Sequence, residues 1–324
     1  MARNGTTPLP GSRPRRGRLL TAFVVCATVF GLAAPAASAA DAAPPAPRRL
    51  NILISNDDGY QFPFIRALQG ALKAAGHNAV IVAPDTDQSG KGTGINAKPG
   101  AVFKAFEAQP GIWSVEGTPA DAVGFGLAQV FASGKPDLVI SGINAGQNVG
   151  STTNHSGTVG AAITAAEKGV PSIAVSAEYD PTSPTNPFPE LPQAVGFTVK
   201  LVEKLIATAP NSGKVLPDHS TVNVNYPAHP TGKVAFTNVG RAEAVQATYV
   251  PAPDQCPTCY RIALGLNPDP SEPVGNADTT ALNNGSVSLS LLDGDWTTPA
   301  WALGQIVSIM DNLSLRLRLN GLTA

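Results

Sequence analysis

Cysteine is scarce in this chain, with three in 324 residues. Cys26 falls in the N-terminal leader described below, so only Cys256 and Cys259 remain, as Cys-Pro-Thr-Cys. Two thiolates cannot fill a structural zinc site, and the Pro-rich surroundings do not fit a thioredoxin-like pair at a helix start. A small structural disulfide is the expected state of this pair. Charged residues make up 14% and aromatic residues 6%. With a formal net charge of −1, the basic excess of a general nucleic-acid binder is missing. No apolar run reaches the roughly 20 residues of a membrane span. Glycine and proline are abundant, at 32 and 30, but they follow no collagen period and mark turns and long loops instead. What is present in quantity is apolar: 43% of the chain, enough for a sizeable core.

The N-terminus reads as an export signal. Arg13, Arg15, Arg16 and Arg18 precede an apolar stretch from Leu19 to about Ala34, and Ala37-Ser38-Ala39 has the small-residue pattern of a cleavage site. Residues 1–39 are therefore expected to be a signal peptide cleaved near Ala39, which makes the mature chain secreted and, with five arginines removed, acidic. Residues 40–48 form a Pro/Ala-rich linker. Residues 49–232 are expected to be an α/β catalytic core. Residues 233–324 are expected to complete the fold with a hairpin or oligomerisation arm and a terminal helix over 300–313.

From Leu50 onward short apolar strands alternate with helical patterns, the signature of a parallel sheet covered by helices. Strands are expected at 50–55, 78–83, 137–141, 172–176 and 221–225, and helices at 63–75, 119–131, 158–168 and 193–207. Beyond Tyr226 the segments 233–250 and 260–266 read as strands of a hairpin or small sheet, 267–285 as loop, and 286–292 as a strand. Overall an α/β fold is expected, a mostly parallel sheet in a three-layer α/β/α sandwich.

In such sheets ligands sit beyond the carboxyl ends of the strands, and the polar residues collect there. The first strand runs into Ser55-Asn56-Asp57-Asp58-Gly59; two adjacent carboxylates after a buried strand need a compensating charge. The second runs into a loop carrying Ser89 and three glycines (90, 92, 94), which is neither a dinucleotide fingerprint nor a P-loop. The third reaches Asn144. Ser156-Gly157-Thr158 opens a helix, where unpaired N–H groups favour an anion. Asp57, Asp58, Ser89 and Asn144 are hard oxygen donors that suit Mg²⁺, Mn²⁺ or Ca²⁺ rather than zinc. A hard cation beside an oxyanion site is the equipment of phosphate-ester hydrolysis.

Five motifs, in order, resemble the SurE family of survival-protein 5′/3′-nucleotidases and related acid phosphatases. They are Leu53-Ile54-Ser55-Asn56-Asp57-Asp58-Gly59, Val82-Ala83-Pro84 with Gln88-Ser89-Gly90, Gly117-Thr118-Pro119-Ala120-Asp121, Ser141-Gly142-Ile143-Asn144-Ala145-Gly146 and Ser156-Gly157-Thr158. The likeness covers about 50–225 and resumes at Asp278-Thr279-Thr280-Ala281-Leu282 and Gly285 to Leu289. It implies one divalent cation per subunit held by Asp57, Asp58, Ser89 and Asn144, with Asp57 and Asp58 also catalytic. It places Ser156, Gly157 and Thr158 at the phosphate; Asn56 is a further phosphate candidate, and His155, by its position beside the anion site, a candidate substrate contact. It also implies a Rossmann-like core with an arm exchanged within a homodimer or homotetramer, and a nucleoside monophosphate as substrate. The chain departs from the family at Phe62-Pro63-Phe64, at Thr86 where arginine is common, at His155 where an aromatic is common, and in a Pro-rich insert around 178–192; these bear on substrate preference. The competing readings are a broad-specificity secreted acid phosphatase, a non-catalytic binding protein of the same fold, and a serine hydrolase using Ser156 with His155, which lacks the G-x-S-x-G turn. His77, His219 and His229 are expected in solvated turns, and Trp113, Trp296 and Trp301 in core or interface.

Overall fold

The structure, a computed structural model, describes residues 48–267, 270–295 and 320–322. The signal peptide, nearly all of the linker, Trp296, Trp301 and the helix expected over 300–313 lie outside the described residues.

The elements are β1 (Asn51–Ser55), α1 (Pro63–Ala74), β2 (Asn78–Pro84), β3 (Ala105–Gln109), β4 (Ile112–Val115), α2 (Pro119–Phe125), β5 (Leu138–Ala145), α3 (Gly157–Glu167), β6 (Ser172–Ala177), α4 (Leu191–Ala207), β7 (Thr221–Tyr226), β8 (Lys233–Thr237), β9 (Val245–Pro251), β10 (Tyr260–Leu266), α5 (Asp278–Asn283) and β11 (Ser286–Leu292). Among the described residues, nine strands form one sheet in the order β3-β4-β2-β1-β5-β6-β7-β11-β8, and β9 and β10 form a separate hairpin. The run from β4 to β7 is parallel throughout, with β3 antiparallel at one edge and β11 antiparallel to β7 near the other.

Burial on both faces explains why the central strands read as unbroken apolar runs. Helices α1 and α4 cover one face, where Ile65, Leu68, Leu72, Phe197 and Leu201 meet Ile52, Ile54, Ile81 and Ile140. Helices α2 and α3 cover the other, with Val123, Ala161 and Ala165 against Leu53, Val82 and Val139. Each fully buried large side chain contributes about 2 kcal/mol of transfer free energy. The sandwich therefore has three layers.

Local signals set the helix boundaries. Pro63 opens α1, and Gly76, at φ +92°, ends it in a conformation that favours glycine. Thr118 and Asp121 form a reciprocal capping box at the start of α2, worth about 1 kcal/mol.

Four expectations need correction. The helix expected over 119–131 stops at Phe125 and widens into a π turn at Gly126–Val130. The expected strand 233–250 is two strands, of which β8 joins the main sheet and β9 enters the hairpin. Within the expected loop 267–285, α5 forms. His77 is buried, not solvated: its Nδ1 accepts the Leu50 N–H at 3.3 Å, and burial holds its pKa below the ordinary value. The β3–β4 pair adds to the expected strands; Ala-Phe-Glu-Ala-Gln on the sheet edge carries little strand signal.

Candidate active site

The sheet changes direction between β1 and β5: the chain leaves β1 for β2 on one side and β5 for β6 on the other. The crevice beyond these strand ends is where the polar residues meet.

Asn56 closes the turn after β1, its Oδ1 accepting the Gly59 N–H at 3.2 Å and its Nδ2 donating to the Gly59 carbonyl at 3.1 Å. Both ends of the amide expected at the phosphate are thus engaged within the turn. Asp57 is 3% exposed, and its carboxylate accepts the Thr158 hydroxyl. Thr158, also expected at the phosphate, therefore spends its hydroxyl on Asp57. The Oδ2 of Asp58 is buried without a hydrogen-bond partner.

The loop after β2 is tied in by the Gln88 N–H, which donates to the Asp57 carbonyl at 2.7 Å. Ser89 is exposed; its N–H and hydroxyl both donate to Asp87 Oδ1, at 2.8 and 2.7 Å, which leaves the hydroxyl lone pairs free. Asn144 sits past a bulge, where β5 uses three steps from Ser141 while β6 uses two. Gly142 makes that bulge workable: a methyl there would stand 2.3 Å from the Val175 carbonyl oxygen. Asn144 Nδ2 donates to the Gly146 carbonyl at 2.8 Å, so the amide oxygen is the end left to ligate.

Ser156 caps α3, its Oγ accepting the Val159 N–H at 3.1 Å. Every residue from Gly157 to Ala166 is buried. Gly157 faces Asp57 so closely that a Cβ there would lie 2.7 Å from the Asp57 Cβ. One turn on, the Gly92 carbonyl oxygen lies 1.9 Å from where a Gly160 Cβ would stand; the loop that carries Ser89 crosses the helix with no side chain between them. His155 is exposed, and its carbonyl accepts the Gly92 N–H at 3.0 Å. Ser156 is engaged as a cap, and no hydrogen bond joins it to His155 among the described residues, so the serine-hydrolase geometry is not formed.

Burial is the first cause of the site's electrostatics. It pushes the Asp57 carboxyl above its usual range against the opposing Thr158 hydrogen bond. It pushes Asp58 up to about 7, with the charges of Asp57 and Asp87 adding to the rise. Among the described residues no lysine, arginine or histidine forms an ion pair with either. Two desolvated carboxylates with an orphaned oxygen and no side-chain counter-charge fit a hard cation. No three His, Cys, Asp or Glu side chains gather about one point among the described residues. A cation here would draw its remaining ligands from neutral oxygens, as Ser89 and Asn144 supply.

Asn148 is a site residue that no sequence motif singles out. Its carbonyl accepts from Asn223 (2.9 Å), Asn225 (3.2 Å) and Thr153 (3.0 Å), its N–H donates to Asn225, and its side chain to Ser176. This buried knot fixes the chain between β5 and α3. The available signal was two asparagines inside the buried strand Thr-Val-Asn-Val-Asn-Tyr.

The family described as Survival protein SurE matches residues 52–246. The chain is 39% identical over 192 residues to the 5′-nucleotidase SurE of Anaeromyxobacter sp. (strain Fw109-5), covering 59% of this chain and 69% of that one. It is 36% identical over 256 residues to the 5′-nucleotidase SurE of Desulfovibrio desulfuricans, covering 76% and 94%. The crystal structure of the SurE protein from Aquifex aeolicus superposes with a TM-score of 0.62 at 28% identity, over 80% of this chain and 99% of that one.

Proposed function

The chain belongs to the SurE family, and on that premise we propose that it hydrolyses phosphomonoesters with a divalent cation, Mg²⁺ or Mn²⁺, its substrates being nucleoside 5′- or 3′-monophosphates. The observation that carries the reading is the buried Asp57–Asp58 pair, with its orphaned oxygen, set against the start of α3. Asp57, Asp58, Ser89 Oγ and Asn144 Oδ1 would hold the cation. When bound, it supplies Lewis-acid polarisation of a phosphoryl oxygen and lowers the pKa of water.

The protein's own part is placement and charge stabilisation. Thr158 fixes Asp57 in one orientation. Asp58 keeps one oxygen without a partner and is the carboxylate free to orient the attacking water. Gly157, as the first residue of α3, has an N–H with no partner inside the helix, and the Ser156 hydroxyl hydrogen remains available. These two donors would receive the equatorial phosphoryl oxygens. Asn56 holds the turn behind them, and exposed His155 would meet the leaving group.

The hairpin supports assembly of copies of this chain. Its register sets Val245, Ala247, Tyr249 and Pro251 beside Leu266, Leu264, Ile262 and Tyr260 on one face, and Ile262 and Leu264 are 65% and 73% exposed. An apolar face of this kind on a projecting arm suits a second copy, in a homodimer or homotetramer. Cleavage of the leader would put the mature chain outside the cell, where the Cys256–Cys259 disulfide at the hairpin tip would be stable.

The test is a panel of 5′- and 3′-nucleotides, sugar phosphates and polyphosphate, assayed after chelation and reloading with Mg²⁺, Mn²⁺, Ca²⁺ or Zn²⁺. Phosphate release from nucleoside monophosphates restored by Mg²⁺ or Mn²⁺ is expected. Equal rates on all monoesters would favour the broad acid phosphatase, and no release with any metal would leave only a binding protein.

A further inference from the structure

Outside the crevice, two acidic side chains are used in an unusual way. Asp278, the first residue of α5, is wholly buried. Its Oδ1 accepts N–H groups from three places: Gly150 at 3.1 Å, Gly240 at 2.8 Å and Thr279 at 2.8 Å. Its Oδ2 is buried without a partner. Half-buried Glu272 accepts from the N–H groups of Arg241, Ala242 and Val274 and from the Thr279 hydroxyl at 2.7 Å.

Segment 240–242 is wedged between these carboxylates and the turn Gly150–Asn154. The Ala242 carbonyl accepts both the N–H and the hydroxyl of Ser151. A methyl on Gly150 would stand 2.3 Å from that carbonyl oxygen, and one on Gly240 would stand 2.1 Å from Glu272 Oε2. The turn so gripped feeds directly into α3: the Thr152 carbonyl accepts the N–H groups of His155 and Ser156. Two hydrogen-bonded steps therefore join Asp278 to the residue that caps the anion-binding helix. A buried carboxylate is costly, and uniting three backbone segments at one oxygen is what this one accomplishes.

We infer that Asp278, backed by Glu272, is a positioning residue that sets the height of Ser156 and Gly157 against the bound phosphoryl group. This rests on the reading of the α3 start as the phosphate site. The full chain, loaded with Mn²⁺, is titrated with inorganic phosphate and assayed on a phosphomonoester. For Asp278→Ala, phosphate dissociation constant and KM should rise about tenfold, and more than kcat falls. Mn²⁺ affinity without phosphate should stay within about twofold, since Asp57 and Asp58 are untouched. Asp278→Asn, which keeps an oxygen acceptor, should recover most of the loss.

Unchanged phosphate affinity in Asp278→Ala overturns the inference. So does a parallel loss of phosphate and Mn²⁺ binding with a lowered melting temperature, which marks general loosening. Should Asp278→Ala not fold, Glu272→Ala is judged by the same criteria. Wild-type protein that binds no phosphate with Mn²⁺ present sinks the phosphate-site reading and this inference together; equal affinity in wild type and variant removes the inference alone.

Discussion

Strands β5 and β10 have similarly apolar sequences, Leu-Val-Ile-Ser-Gly-Ile-Asn-Ala and Tyr-Arg-Ile-Ala-Leu-Gly-Leu, yet β5 is buried over its first six residues and β10 is exposed over all seven. Strand β5 lies between two parallel neighbours with helices on both faces, and every apolar side chain finds a partner within the same chain. In β10 the apolar residues alternate, Tyr260, Ile262, Leu264 and Leu266, and nothing among the described residues covers them. Apolar content alone does not decide burial; the topology around the strand does. One region turns its side chains inward to brace the crevice, and the other leaves them open to solvent.

The largest expected effect tests the inward region. Asp57→Asn keeps the shape of the side chain and removes its charge, and phosphomonoester turnover should fall by about three orders of magnitude or more, with the fold retained by circular dichroism. Persistence of wild-type rates would separate the crevice from the chemistry. Gly157→Ala comes next: its methyl would press on Asp57 at 2.7 Å, and kcat/KM should drop about 10²-fold at a stability cost of about 1–3 kcal/mol. An alanine variant with normal kinetics would show that the crevice yields more easily than β5 and α3 suggest.

The outward region should respond differently. Ile262→Asp with Leu264→Asp puts two charges on the open face of β10. Sedimentation should then report a lower assembly state, with per-chain activity within about threefold and an unchanged core melting temperature. An oligomer that survives both substitutions would assign the contact elsewhere and end the contrast drawn here.

The smallest effect is on pH dependence. The Asp58 carboxyl is raised from 3.8 to about 7 in the folded chain, so folding favours its protonated form. That contribution is present at low pH and is lost as pH rises through about 7. Chelated protein should therefore melt several degrees lower at pH 8 than at pH 5.5, and Mn²⁺ should restore more at pH 8 than at pH 5.5. In Asp58→Asn the fall in melting temperature over this range should be smaller than in wild type; a slope equal to wild type would assign the effect to another group, such as Asp57, whose carboxyl burial also raises.

The parallel core was legible because each strand is a short apolar run between glycine or proline signals, and because its ends gather Asp57, Asp58 and Asn144. The rest was hidden for identifiable reasons. Thr158 reaches Asp57 across 101 positions, a contact that helix-capping rules do not encode. Asp278 is one of three acids in a loop-rich stretch, and the approach of Gly150 and Gly240 is what distinguishes it. His77 follows a helix stop, which usually marks solvent, and its burial comes from the Leu50 N–H it accepts. Helix α5 is six residues long, too short for a periodic pattern.

The crossing of Gly92 over Gly160 restricts how this protein could be altered. Two stretches of backbone meet there with no room for even one carbon, so the loop after β2 cannot shift along the helix to take up slack. Its length is consequently as fixed as its composition: adding or deleting a residue between Pro84 and Gly92 would have to be absorbed around Ser89. In a library of loop lengths selected for turnover, the parental spacing should be the one recovered.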